Sequence, residues 1–265
     1  MPPTQQEKGA EFRALHESEV FIIPNPWDAG SARVLAALGF KALASTSSGF
    51  AFTLGRLDGN TTLDEVMEHT RVLDRATSLP VSVDLENGYG PDPEDAAVAI
   101  TRAAAAGAVG GSIEDFDPSG ELYSLDCAAE RVAAACEAAG RLDFPFMLTA
   151  RAENHIRGNP DLDDTIARLQ AYERAGADVL YAPGLADGKQ IRAVCNAVSK
   201  PVNVLAHAGL TMEEIVDAGA QRVSVGGALT WVAAAAMAEA AQKMRDDGDF
   251  SSFAVRVNVH DLLGG

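Results

Sequence analysis

Val81-Ser-Val-Asp84-Leu-Glu86-Asn-Gly88-Tyr-Gly90 is the stretch on which the fold turns. Val81, Val83 and Leu85 alternate with Ser82, Asp84 and Glu86, the two-residue period of a strand. Gly88 and Gly90 end it, because glycine accepts the backbone angles of a tight turn. Two carboxylates two residues apart then point the same way from the end of a buried strand. An isolated buried carboxylate is costly without a cation or hydrogen-bond donors. Oxygen-only ligands of this kind suit a hard cation such as Mg²⁺. Taken alone, the stretch reads equally well as an exposed loop with two solvated acids, and its neighbours decide between the two.

Upstream, residues 5–18 place Phe12 and Leu15 on one face of a short helix. Val20–Ile23 is an apolar run closed by Pro24 and Pro26, followed by a helix that opens at Asp28 and stops at Gly39. Strand Lys41–Ser45, ending in Thr46-Ser47-Ser48-Gly49, precedes helix Thr62–Thr77. Downstream of Val81–Leu85 a helix begins at Pro91–Asp95, and strand Ala108–Ile113 runs into Glu114-Asp115. The pattern continues with strands Phe146–Thr149, Asp178–Ala182, Val202–Leu205 and Arg222–Val225, each followed by a helical segment, the last being Thr230–Met244. Leu38-Gly-Phe, Ala106-Gly-Ala, Ala175-Gly-Ala and Ala218-Gly-Ala each close a helix just before the next strand. Eight short apolar strands alternating with helices predict a parallel sheet. Over this length they predict a single (β/α)₈ barrel across residues 1–265, with an N-terminal helix in 1–18, a last helix at 228–246 and a tail at 247–265. A doubly wound sheet is the alternative, but no G-x-G-x-x-G follows the first strand.

The 265 residues are 47% hydrophobic and 22% charged, enough apolar material for one large core, and the formal net charge is -17. So acidic a surface repels nucleic acid and anionic lipid, which removes both as partners. A small anionic substrate then needs a metal or a local arginine to reverse the field. The three cysteines, Cys127, Cys136 and Cys195, are an odd number and suggest a reducing compartment rather than a disulfide framework. No apolar run is long enough to span a membrane and no signal-peptide core is evident, so a cytoplasmic protein is expected.

In such barrels chemistry collects at the C-terminal ends of the strands. There the sequence puts Asn25, Trp27, Ser47, Ser48, Gly49, Asp84, Glu86, Glu114, Asp115, Arg151, Glu153, Asn203 and Gly226. Asp84, Glu86 and Glu114, on adjacent strands, are candidate ligands of one Mg²⁺, with Mn²⁺ accepting the same donors. Arg151 is positioned to clamp a substrate carboxylate with two donors. The Ser48-Gly49 backbone offers N–H groups to the same carboxylate or to a developing oxyanion. Such a site suits a metal-chelated 2-oxo or 2-hydroxy acid and stabilises an enolate, the intermediate of decarboxylation and C–C lysis.

Ser48-Gly49-Phe50, Leu54-Gly-Arg-Leu-Asp58, Asp84-Leu-Glu86-Asn-Gly-Tyr-Gly90, Ile113-Glu114-Asp115 and Ala150-Arg151-Ala-Glu153 together resemble the isocitrate lyase/phosphoenolpyruvate mutase superfamily, from about Phe21 to Ala254. The resemblance implies Mg²⁺ held by Asp84, Glu86 and Glu114, with Asp58 acting through water. It implies substrate binding by Ser48, Gly49, Phe50, Asp84, Arg151 and Asn203, and catalytic roles for Arg151, Asp58 and Glu114. It also implies a homo-oligomer, commonly a tetramer, whose last helix is exchanged between subunits; Thr230–Met244 suits that element.

The segment Glu114–Cys127 departs from the pattern. It lacks the K-[KR]-C-G-H loop of the lyases and the loop lysine and asparagine of the mutases, and Cys127 reads as a packing residue. Glu121, Tyr123, His155 and His207 are rim residues with acid–base chemistry to offer, and Gly226-Gly227 could cradle a phosphate. A Mg²⁺-dependent lyase or decarboxylase of a small, oxaloacetate-like carboxylate is expected. The alternatives are a phosphonopyruvate-type mutase or hydrolase and a non-catalytic keto-acid-binding barrel.

Overall fold

The computed structural model describes residues 2–263. The chain runs α1 (Gln5–Leu15), β1 (Phe21–Ile23), α2 (Ala29–Ala37), β2 (Leu43–Ala44), α3 (Ser47–Thr53), α4 (Leu63–Ala76), β3 (Val81–Asp84), α5 (Pro93–Ala105) and β4 (Gly110–Glu114). It continues α6 (Leu125–Gly140), β5 (Met147–Arg151), α7 (Leu162–Arg174), β6 (Val179–Tyr181), α8 (Gly188–Ala197), β7 (Val202–Leu205), α9 (Met212–Asp217) and β8 (Arg222–Ser224). The helices α10 (Ala228–Asp247) and α11 (Val259–Leu263) follow. The tail expected over 247–265 is thus described as far as Leu263; residues 264 and 265 lie outside the described residues.

All eight strands are parallel, ordered β1-β8-β7-β6-β5-β4-β3-β2. The Ala44 N–H donates to the Pro24 carbonyl (3.1 Å), bringing β2 back to the end of β1. This is the expected (β/α)₈ barrel. Its helices are set by local chemistry: Thr4, Asp28, Thr62 and Thr211 close capping boxes at the starts of α1, α2, α4 and α9. Gly39, Gly107, Gly176 and Gly219 adopt φ of 90°, 107°, 107° and 98° just past helix ends, angles that favour glycine. That is the physical content of the recurring x-Gly-x phrases.

α1 covers the N-terminal end of the barrel, where buried Phe12 packs with Phe21, Val109, Met147 and Val179. Above this apolar plug the interior is polar. Buried Arg222 donates through Nε to Asn203 Oδ1 (2.8 Å) and through Nη2 to Thr149 Oγ1 (2.9 Å). Its Nη1 lies 3.2 Å from His16 Nε2. Burial depresses Arg222 to about 10.

α10 is the exception to this packing. Of its 20 residues only Thr230 is buried, while Trp231, Val232, Met237 and Met244 are exposed. Among the described residues no helix is long and apolar enough to cross a membrane.

Candidate active site

β3 ends at Asp84, half-buried, and both carboxylate oxygens are engaged. Oδ1 accepts from Arg151 Nη1 (2.8 Å), and Oδ2 accepts from the Ser47 backbone N–H (3.2 Å) at the start of α3. The Glu86 N–H also donates to Asp84 Oδ1 (3.3 Å), which bends the chain out of the strand. Glu86 therefore sits at φ 48°, a left-handed conformation rare for a non-glycine residue, and Tyr89 follows at 64°. The expectation that Asp84 and Glu86 leave one strand side by side is corrected here. The strand alternation stops at Asp84, and a side-chain-capped turn aims Glu86.

Arg131 fixes that turn from α6. Its guanidinium donates to the carbonyls of Asn87, Gly90 and Pro91 and lies 4.6 Å from the Tyr123 ring centroid. The Glu86 carboxylate accepts from Tyr89 Oη (2.9 Å) and Thr61 Oγ1 (3.2 Å). Burial, and then the charges of Asp84 and Asp58, push its carboxyl up to about 7, opposed only partly by those hydrogen bonds.

Arg151, at the end of β5, is wrapped by acids. Nε and Nη2 donate to Glu153 Oε1 (3.0 and 2.9 Å), Nη2 reaches Glu114 Oε2 (2.8 Å), and Nη1 reaches Asp84. Four of the five donors a guanidinium owns are spent within the protein. The two-pronged edge expected to receive a substrate carboxylate is occupied by Glu153 and Glu114, which leaves one Nη1 hydrogen facing the site. Glu114 is also approached by Arg157 Nη2 (3.4 Å). Burial still outweighs the arginines, and the Glu114 carboxyl stands well above its usual range.

Two adjoining cavities open on this array. The inner one, about 150 Å³, is lined by Asn25, Ser45, Ser47, Ser48, Asp58, Asp84, Ser112, Arg151, Tyr181, Asn203 and Ser224, among others. The outer one, about 440 Å³, is lined by Asp58, Asn60, Glu86, Glu114, Phe116, Pro118, Arg151 and Arg157, with others. Asp58 and Arg151 belong to both. Of the expected site residues, Asp58, Asp84, Glu86, Glu114, Arg151, Ser48 and Asn203 thus converge on one mouth. Asn203 is held there by Arg222 and by Ser224 Oγ (2.9 Å).

Gly49 and Phe50 line neither cavity. The segment expected to offer backbone N–H groups at the end of the strand is helix α3, and the Gly49 N–H is taken by its cap, Thr46 Oγ1 (3.3 Å). A Cβ at Gly49 would stand 2.6 Å from both Thr230 Oγ1 and Thr46 Cγ2, so glycine is required there by close packing. Buried Phe50 stacks on His69 with ring centroids 4.1 Å apart. Asp115, at the rim in sequence, turns away to take Arg168 Nη1 (2.9 Å), Tyr172 Oη and the Glu153 N–H (2.8 Å). Tyr123 Oη accepts from Asn87 Nδ2 (3.0 Å), His207 is exposed, and His155 lines neither cavity.

Tyr181 and Arg157 carry parts of the site that the sequence reading did not name, and Glu153, which it placed at the strand ends, was given no role there. Tyr181 is the last residue of β6, and applying the strand-end rule to that strand finds it. Arg157 lies six residues beyond β5 on a loop and left no periodic signal.

Among the described residues no three acidic, histidine or cysteine side chains meet at one metal-sized point. Mg²⁺ does not require that. It commonly takes one or two protein carboxylates and completes its shell with water and substrate oxygen. The donors at the mouth are all hard oxygens, and among the described residues no cationic side chain pairs with Glu86, which is held by Tyr89 and Thr61 hydroxyls alone. The residues present fit such a cation.

A family model described as phosphoenolpyruvate phosphomutase matches residues 12–245. The chain belongs to the isocitrate lyase/phosphoenolpyruvate mutase superfamily. A crystal structure of a Burkholderia cenocepacia J2315 protein of unassigned lyase/mutase activity superposes with a TM-score of 0.94 at 51% identity, covering 97% of this chain and 95% of that one. An oxaloacetate decarboxylase of Bradyrhizobium sp. strain BTAi1 is 32% identical over 222 residues, 80% of this chain and 73% of its own. A phosphonopyruvate hydrolase solved with oxalate and Mg²⁺ shares the fold, with a TM-score of 0.85 at 24% identity over 97% of this chain and 95% of that one.

Proposed function

We propose that this protein is a Mg²⁺-dependent carbon–carbon lyase that decarboxylates a small 2-oxo dicarboxylate of the oxaloacetate type. The observation that carries the reading is that Asp58, Asp84 and Glu86 set hard carboxylate oxygens around the two adjoining cavities, beside the one donor that Arg151 keeps free. The likeness to an oxaloacetate decarboxylase supports the choice of substrate. Asp84 and Glu86 would hold the metal and Asp58 would approach it through water; Glu114, already committed to Arg151, contributes at most through water. When bound, Mg²⁺ supplies Lewis-acid polarisation of a chelated 2-oxo carboxylate.

The chain's own residues do the rest. The remaining Nη1–H of Arg151 is assigned to the 2-oxo oxygen, where negative charge develops as CO₂ departs. The Ser48 hydroxyl and Asn203 orient the carboxylate in the inner cavity. Phe116, Pro118 and Ile156 give the outer one an apolar side. Glu114, which retains its proton more strongly than an ordinary carboxyl, is assigned to return a proton to the carbon that lost CO₂.

Oxaloacetate incubated with the protein and Mg²⁺ should release pyruvate faster than Mg²⁺ alone, and a chelator should remove the difference. Release at the metal-only rate would send the search to phosphonopyruvate, the second reading for this fold.

We also infer that the protein is a homo-oligomer in which α10 packs on a neighbouring barrel, since Val232, Met237 and Met244 stand exposed along it. Light scattering should give a mass at least twice the 27.7 kDa of one chain, and Met237→Glu should lower it. A monomer in both cases would refute the exchange.

A further inference from the structure

The outer cavity holds an arginine that the reaction above does not use. After β5 the loop 152–161 is tied down by fully buried Asn154, whose Nδ2 donates to the carbonyls of Asn159 (3.1 Å) and Asp161 (3.0 Å) and to Thr165 Oγ1 (2.7 Å). The Arg157 N–H donates back to the Glu153 carbonyl (3.1 Å). The loop therefore delivers Arg157 to one place.

Its guanidinium lies 3.8 Å from the ring centroid of Phe116, on the loop that follows β4. That loop is itself braced by the Phe116–Leu122 bridge and by the Asp117 N–H donating to the Glu121 carbonyl (2.7 Å). Stacking on an aromatic face holds a guanidinium flat and leaves its edge available.

The acids nearby engage only Nη2, and Nε and Nη1 make no hydrogen bond within the described residues. Arg157 Nη2 donates a long hydrogen bond to Glu114 Oε1 (3.4 Å) and stands 3.3 Å from Glu153 Oε2, both longer than the roughly 2.7–2.9 Å of a strong charge-assisted bond. Glu153 Oε2 accepts no hydrogen bond at all, although it is buried. Arg157 remains 36% exposed, facing Glu86, Glu114 and Pro118. Arg151 is the opposite case, buried with all but one of its donors spent. An anion entering the outer cavity meets its free cationic edge at Arg157.

We propose that Arg157 is the specificity-determining residue of the site: it binds the distal carboxylate of a four-carbon 2-oxo diacid whose 2-oxo acid end lies at Asp84, Ser47 and Arg151. This rests on the reading under Proposed function and names the residue that selects its diacid over a 2-oxo monoacid.

The experiment compares two probes in the presence of Mg²⁺, on wild type, Arg157→Gln and Arg157→Lys, by calorimetry, with the probes checked by fluorine NMR or mass spectrometry to be intact at the end. Oxalate is too short to reach the outer cavity, whereas 3,3-difluorooxaloacetate carries the distal carboxylate. Arg157→Gln should weaken difluorooxaloacetate by about tenfold or more, the worth of a charged hydrogen bond, and leave oxalate within about twofold. Arg157→Lys should recover part of the loss, because it keeps the charge without the fork. Equal losses for both probes, or an unchanged affinity for difluorooxaloacetate, overturn the assignment of Arg157 while oxalate binding keeps the keto-acid reading standing. A wild-type protein that binds neither probe overturns that reading and this inference with it.

Discussion

Asp84→Ala is expected to lower kcat/KM on oxaloacetate by about 10³-fold or more, about 4 kcal/mol of transition-state stabilisation, in a protein that still folds. The argument is that one carboxylate serves two purposes. It is a proposed metal donor, and it holds Arg151 Nη1 (2.8 Å) while accepting the Ser47 N–H (3.2 Å). Alanine removes the donor and lets the guanidinium settle onto Glu114 and Glu153, away from the 2-oxo oxygen. The structural cost is smaller: Asp84 is 15% exposed, so water can replace part of what is lost, about 1–3 kcal/mol for its hydrogen bonds. Melting temperature, kcat/KM and the melting shift caused by Mg²⁺ should be measured together. A folded variant with wild-type turnover would sink the metal-site argument.

Arg151→Met should have the largest effect on stability, about 3–5 kcal/mol, because removing one partner of a buried pair strands the other. Glu153 is fully buried and Glu114 8% exposed, and Arg151 is the closest cation to each. Both carboxyls already titrate above their ordinary range because burial outweighs the arginine, and without it they rise further. A carboxyl whose pKa is higher folded than unfolded favours folding while protonated and loses that advantage as pH rises through and beyond its unfolded value. The deficit of Arg151→Met against wild type should therefore be large at pH 8 and shrink toward pH 5. Urea midpoints at the two pH values measure it, and an equal deficit at both would refute the buried-acid account. Arg151→Lys should fall between, since one ammonium cannot reach Asp84, Glu114 and Glu153 together.

Legibility in the sequence followed the range of the interactions. The strand that ends at Asp84 and those ending at Glu114 and Arg151 were visible because their alternation and their helix stops are local. Placing their terminal residues at one mouth then needed only the barrel rule. Glu86 was found but its direction was not, because an Asp84 side chain bending the backbone to φ 48° leaves no periodic mark. Gly49 and Phe50 were placed in the site, yet they sit in a seven-residue helix of serine, glycine, phenylalanine, alanine and threonine that has little helical preference of its own. The Thr46 cap and the packing of Thr230 and His69 against it hold that helix in place.

The sequence by itself determined the eight-stranded barrel, the end of the barrel where chemistry collects, and the acidic, oxygen-rich character of that end. These follow from residue type and short-range periodicity. Only the tertiary structure decided that Arg151 is spent on Asp84, Glu114 and Glu153, that Asp115 faces Arg168 and Tyr172, and that Arg157 stands at the mouth against Phe116. Charges and hydrogen bonds act through space, and Arg151 and Asp84 are 67 residues apart along the chain and 2.8 Å apart in the fold.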